Sequence, residues 1–247
     1  GVGLVGSEMC IRDSKYFKDH KILSIADLGC GTGSNYRYMH PKIKVKQKWD
    51  MIDISFESIK EFKKITANTN KIININYKKF DLIKDIKKFK FENYDLITGS
   101  AYLDIMPKKW FHEFKKQNLN TKVIYFSINY DGYFKFYPKH KDDEYVLQLF
   151  NKDQESDKGI GKKAVGKNCS QIINKVFTKT HKTFVLNSNW NVSKNKMFQD
   201  MFINFCENVI KKNKISLEPW IKFRRENIRL NKSKLLLRNK DFLALKL

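Results

Sequence analysis

A short apolar run, Ile22-Leu23-Ser24-Ile25-Ala26, leads straight into Asp27-Leu28-Gly29-Cys30-Gly31-Thr32-Gly33, and residues 34–40 then carry enough side-chain bulk to begin a helix. No other stretch restricts the fold as strongly. A buried strand that ends in an acid and three alternate glycines is a turn built for close approach to the backbone. Glycine takes positive φ without penalty, and its missing Cβ lets a ligand rest on the main chain. The helix that starts there turns unpaired N–H groups and the positive end of its dipole toward a polar ligand. The spacing is neither the G-x-G-x-x-G of a dinucleotide turn nor that of a phosphate loop, which ends in Gly-Lys-Ser/Thr. The turn is suited to a nucleotide-type cofactor of another kind.

Downstream, strands and helices alternate. Trp49-Asp50-Met51-Ile52-Asp53 reads as a second strand ending in an acid. Ser55 caps a helix from Phe56 to about Ala67, with Phe56, Ile59, Phe62 and Ile65 at helical spacing. A third strand, residues 72–77, leads into Phe80-Asp81-Leu82, and residues 94–100 form a fourth. Residues 107–117 are helical, with Trp110, Phe111 and Phe114 on one face, and residues 122–130 form a fifth strand. This alternation predicts a parallel sheet with right-handed crossovers. Residues 131–166 are polar, aromatic and glycine-dotted, and so long a loop inside a domain is a functional element or a disordered one. A helix over residues 167–180, a strand over 182–186 and an amphipathic helix over 197–212 follow, the last with Met197, Met201, Phe202, Phe205 and Val209 apolar. Pro219 opens another helix, and residues 241–245 close the chain as a strand.

The expectation is therefore an α/β fold with a doubly wound, seven-stranded, mostly parallel sheet and an insertion after strand five. Residues 15–247 form one domain, in which 131–166 act as a lid or substrate-recognition insertion. Residues 1–14 resemble translated adapter read-through at the end of a gene fragment and are left out of the fold argument. The 247 residues suit one such domain. The net charge of +23 is carried by 43 lysines among 49 basic residues, alongside abundant Asn, Ile, Phe and Tyr, as an AT-rich coding sequence would give. Charge of that origin bears on solubility and association, not on fold. Cys10, Cys30, Cys169 and Cys206 make no C-x-x-C pair, which argues against a zinc site or disulfide framework and fits a reducing cytoplasm. No apolar run approaches the length of a membrane span.

D-x-G-x-G-x-G resembles the first motif of the class I S-adenosylmethionine-dependent methyltransferases, whose sheet takes its final strand antiparallel. The resemblance covers residues 22–131 firmly and the remainder loosely. It implies S-adenosylmethionine as cofactor and a Rossmann-like sheet. It also implies a methionine moiety over Asp27, Gly29, Gly31 and Gly33, with Cys30 lending main chain. A ribose diol is best held by one carboxylate, and Asp53 stands at the right strand end, whereas Asp50 lies within the strand. An acid after the third strand holds the adenine edge in the family, and Asp81-Leu82 matches; Ser100 closes the pocket at the end of the fourth strand. Each acid taken alone is also an ordinary helix cap or turn former.

The acceptor side is less determined. Amino-methylating members carry Asn/Asp-Pro-Pro-Tyr/Phe after the fourth strand, where this chain reads Gly99-Ser100-Ala101-Tyr102-Leu103-Asp104, which argues against methylation of base amino groups. Asp104, Tyr130 and Asp131 follow strand ends and can orient or deprotonate a substrate. The run Asn129-Tyr130-Asp131-Gly132, followed by Asn151, Gln154, Asp157 and Lys158-Gly159, resembles a pattern of an uncharacterised bacterial branch of the superfamily. Asn151, Gln154 and Lys158 are accordingly candidate substrate contacts, and no metal ligands are assigned. Three readings stay open: a small-molecule methyltransferase, an RNA methyltransferase that tracks phosphates with Arg224, Arg225 and Arg229, and a cofactor-binding module without catalysis. The oligomeric state is left unassigned.

Overall fold

The structure, a computed structural model, describes residues 17, 20–65, 72–159 and 161–247. Residues 1–14, and the expected helix end at Ala67, lie outside the described residues. The elements run β1 (Ile22–Leu28), α1 (Ser34–Met39), β2 (Lys46–Asp53), α2 (Phe56–Ile65), β3 (Ile72–Lys79), β4 (Leu96–Ser100), α3 (Lys108–Gln117) and β5 (Val123–Tyr137). They continue with α4 (Asp143–Gln154), α5 (Cys169–Phe177), β6 (His181–Asn187), β7 (Trp190–Val192), α6 (Lys196–Lys212), α7 (Glu218–Arg229) and β8 (Lys234–Lys246).

One sheet takes all of the described strands, in the order β3-β2-β1-β4-β5-β8-β6, with the three-residue β7 paired to β8 beside that path. Strands β1 to β5 are parallel, and β8 enters antiparallel between β5 and β6. Alternating side chains divide between the faces, as the pleat requires. Leu28, Ile52, Ile97 and Phe126 meet α3 and α5 on one side through Phe111, Phe114, Ile173 and Phe177. Ile25, Trp49, Met51 and Tyr125 meet Tyr36, Met39 and Phe62 of α1 and α2 on the other. A sheet covered on both faces needs strands apolar on both, which is why β1 and β4 read as near-continuous apolar runs.

Beyond the carboxyl ends of the central strands the chain departs from expectation. The fifth strand does not stop at Tyr130; it runs on to Tyr137, paired with β8 from Lys234 onward. Asp131-Gly132, which opens the expected loop, lies where the β5–β8 register shifts between Tyr130 and Phe134, with Gly132 at φ 78°. A bulge inside a strand uses the same residues as a turn and hides the strand's period. The rest of the supposed loop contains α4, whose buried side chains are Val146 and Phe150. This extension, with α4, α6 and α7, encloses a second apolar core that includes Phe134, Phe136, Phe202, Ile203, Trp220 and Ile221. Residues 131–137, α4, and residues 190–229 with β7, α6 and α7 thus form a packed cap on the carboxyl edge of the sheet.

Candidate functional site

The glycine turn stands at the carboxyl edge, where ligands bind in open α/β sheets. Its three glycines serve different ends. A Cβ on Gly33, at φ 80°, would come 2.1 Å from the Phe62 ring, and one on Gly29 would come 2.4 Å from Tyr102, so both are required for packing. Gly31, at φ 50°, meets nothing within 4 Å, so it is the glycine whose bare backbone faces free space. Cys30 is buried and its thiol is pushed well above the usual range by burial and by Asp27 and Asp53, so its side chain stays neutral and inert.

The acids divide as well. Asp53 Oδ2 accepts from the Gly31 amide at 2.8 Å and Oδ1 from the Ser55 amide at 2.8 Å, which ties the end of β2 to the turn. Asp50 is taken up by Lys78 at 2.6 Å and by the Tyr94 hydroxyl, as expected for the weaker ribose candidate. Asp81 caps a turn, its Oδ1 accepting from the amides of Ile83 and Lys84, both at 3.0 Å, and Leu82 beside it is buried. Asp27 is fully buried: Oδ1 accepts from Asn35 Nδ2 at 2.7 Å, and Oδ2 has no partner among the described residues. Burial first, and then the charge of Asp53, push its carboxyl up to about 7, against the Asn35 hydrogen bond.

Two cavities lie beyond the turn. The first, about 710 Å³, is lined by Ser34 and Asn35 of α1, Ser100 of β4 and Trp190, Asn195 and Phe198 of the cap. The second, about 420 Å³, is lined by Asp104, Tyr130, Gln154, Asp153, Phe202 and Phe205 among others. Ile128, Trp190 and Phe198 line both, so the cavities adjoin at those three side chains. Two lining residues hold strained backbone: Ala101 at φ 51° and Ile128 at φ 56°. A β-branched residue in the left-handed region is kept there only by its surroundings. For Ile128 these are explicit. Its amide donates at 3.0 Å to Asp241, a buried carboxylate that also accepts from Tyr125 Oη at 2.9 Å and Ser188 Oγ at 2.6 Å.

The acceptor-side candidates separate here. Asp104 is buried at the second cavity, Oδ1 has no hydrogen-bond partner among the described residues, and burial pushes the carboxyl up to about 6. Tyr130 lines the same cavity, but its hydroxyl donates to Asn151 Oδ1 at 2.9 Å and burial holds it well above the usual range, so it is a donor and not a base. Asn151 also donates to Gly132 O at 2.9 Å, which makes it the fixture that orients Tyr130. Gln154 lines the cavity. Lys158 is occupied by Asp153, 2.8 Å from its Oδ2. Asp131 lines neither cavity and instead pairs with Arg238 at 3.0 Å and Lys240 at 2.9 Å. Its strand position suggested a base, but two cations of β8 already neutralise it. Sequence reasoning missed Asn35, Tyr102, Trp190 and Phe198; the last two sit on cap elements whose pairing with the sheet leaves no local signal.

Residues 25–117 match the profile of a family described as "Methyltransferase domain". The match runs from β1 to the end of α3 and does not reach β5 or the cap. No curated protein matches the sequence. Among solved structures, a cyclopropane-fatty-acyl-phospholipid synthase-like protein from Lactobacillus casei ATCC 334 is similar, with a TM-score of 0.58 at 11% identity over 90% of this chain and 84% of its own. A putative methyltransferase from Bacillus halodurans C-125 is also similar, with a TM-score of 0.50 at 10% identity over 91% and 92% of the two chains. At such identities the likeness is one of fold. Residues 25–117 thus match a methyltransferase domain, and the sheet as a whole shares the fold of these solved structures.

Proposed function

We propose that the protein transfers a methyl group from S-adenosylmethionine to a small molecule held in the second cavity. The observation that carries this reading is the junction of the two cavities at Ile128, Trp190 and Phe198, beside the end of β4. It puts a cavity with six aromatic side chains in its walls next to the one lined by Ser34 and Asn35, which directly follow the glycine turn. The residues present fit the cofactor. Gly31 offers bare backbone, Asp53 stands at the end of β2 for a diol, Asp81 follows β3 for the purine edge, and Asp27 keeps a buried oxygen without a partner. When bound, the cofactor supplies an electrophilic methyl on a sulfonium. The chain then contributes placement and the exclusion of water.

RNA is the less favoured acceptor. Of the three arginines proposed to track phosphates, Arg224 is fully buried against Asp143, Arg225 pairs with Glu207 at 2.6 Å and Arg229 with Glu226 at 2.6 Å. Among the described residues no helix is long and apolar enough to cross a membrane. A cytoplasmic location belongs to the same proposal, on the free, buried thiols of Cys30, Cys169 and Cys206.

Calorimetry with S-adenosylmethionine or its demethylated product tests the donor half. The parent should bind, Asp53→Ala should lose that binding, and a parent that binds neither would sink the reading. The acceptor half is tested by supplying methyl-labelled cofactor with separated RNA, protein and metabolite fractions. Label is expected in the metabolite fraction, and label confined to RNA would transfer the assignment there.

A further inference from the structure

The second cavity is more specific than a small-molecule chamber. Its walls carry six rings, those of Tyr130, Phe150, Trp190, Phe198, Phe202 and Phe205. Two carboxyl groups also reach it, and they are treated differently. Asp153 is neutralised by two ammonium groups, Lys158 at 2.8 Å and Lys212 at 2.6 Å. Asp104 is 8% exposed, makes no ion pair among the described residues, and its Oδ1 has no hydrogen-bond partner among them. A buried carboxylate without a cation is costly, and a donor that fills the gap recovers that cost. Aromatic faces attract cations and apolar tails alike.

We propose that this cavity accepts an apolar primary or secondary amine, with the nitrogen donating to Asp104 and the tail lying among the rings, so that the methyl acceptor is an amine nitrogen. The proposal rests on the methyl-transfer reading above. The amine arrives as its ammonium form, which complements the Asp104 carboxylate. The ammonium proton passes to Asp104 Oδ1, which frees the nitrogen lone pair. That pair forms the new N–C bond while the C–S bond of the sulfonium donor breaks, and the bonding electrons stay on sulfur as a neutral thioether. The product leaves as the methylated ammonium, and Asp104 releases its proton to water. A carboxyl raised to about 6 by burial suits this exchange near neutral pH, since it is mostly ionised there and still basic enough to take the proton.

The groups that face Asp104 are Lys158, Tyr130 and Cys169, with Asp153 lining the same cavity. Burial raises Tyr130 and Cys169 well above neutrality, and the two lysines hold Asp153 below the usual carboxylate range. A loss of amine affinity as pH falls through about 6 is therefore assigned to Asp104.

The test compares isosteric amines and alcohols by calorimetry on the full chain without cofactor: phenethylamine against 2-phenylethanol, and octylamine against 1-octanol. The amine of each pair should bind about tenfold or more tightly, as a hydrogen bond to a charged group implies. Asp104→Asn should erase the preference. The parent's own pH profile provides the second measurement if that variant fails to fold, with amine affinity falling below about pH 6 and alcohol affinity unchanged. Equal or tighter binding of the alcohols would overturn the amine assignment. So would the absence of amine binding in a parent that binds the demethylated cofactor. Failure of cofactor binding alone would instead count against the methyl-transfer reading, because the amine measurements are made without cofactor.

Discussion

Asp27 lies at the end of β1 with its carboxyl inside the protein, and its raised proton affinity fixes the sign of its effect on stability. The folded value, about 7, lies above the ordinary value of 3.8, so the folded state binds more protons through that interval. The contribution to stability is full below about 4 and is lost as pH rises through about 7. Asp27→Asn keeps the acceptor for Asn35 and removes the charge. It should raise stability at about pH 8 by at most roughly 4 kcal/mol, seen as a higher melting temperature, and confer nothing by about pH 4. Thermal melts of both proteins across that range check it, and a gain at acid pH would reverse the sign. The glycines permit a paired experiment of the same kind. Gly31→Ala and Gly33→Ala both place a side chain at positive φ, which costs about 1–2 kcal/mol. Only Gly33→Ala also drives a methyl into the Phe62 ring. Gly33→Ala should therefore melt well below Gly31→Ala, whereas Gly31→Ala should fold and lose cofactor affinity, read by calorimetry.

At the scale of elements, the places of the candidate residues at the ends of β1, β2, β3 and β4 were legible because each apolar run stops where a polar residue begins. Asp27, Asp53, Asp81 and Ser100 follow or end apolar runs, and a strand followed by a helix leaves a period that local sequence carries. The cap was not legible, for a physical reason. Tyr137 pairs with Lys234, and Arg224 finds Asp143 across 81 residues of chain, so neither contact leaves a local trace. The sequence offers Arg224, Arg225 and Arg229 as a cluster that tracks phosphates; burial separates them. Arg224 lies against Phe136, Trp220 and Phe223 and donates to Pro138 O at 2.6 Å, while Asp143 also accepts from Trp220 Nε1 at 2.8 Å. Removing one partner of a buried ion pair leaves the other charge uncompensated, at about 3–5 kcal/mol. Arg224→Ala should therefore loosen α4, α6 and α7, seen as faster hydrogen exchange there, while β1, β2 and β4 keep their protection and the cofactor still binds. Uniform loss of protection would show instead that cap and sheet unfold as one unit.

For the molecule as a whole, the family match and the second core mark a division of labour. In the proposed function the matched residues place the donor, and the cap around the proposed acceptor cavity lies outside the match. The charge of +23 belongs to neither half. It is spread through lysines, and the arginines of α7 are engaged with Asp143, Glu207 and Glu226, so those three lay no basic track to the junction at Ile128, Trp190 and Phe198. A polycation of this kind associates with any polyanion at low salt, and the association weakens steeply as counterions compete. The expected result is RNA retention at low ionic strength that does not depend on sequence and is largely gone by about 0.15 M salt. Incubation with methyl-labelled cofactor should leave the RNA no more labelled than incubation with Asp53→Ala does. RNA labelling that exceeds that of the variant and survives physiological salt would mean that the surface guides a nucleic-acid substrate. The chamber beside Asp104 would then need a flipped base as its occupant in place of a free amine.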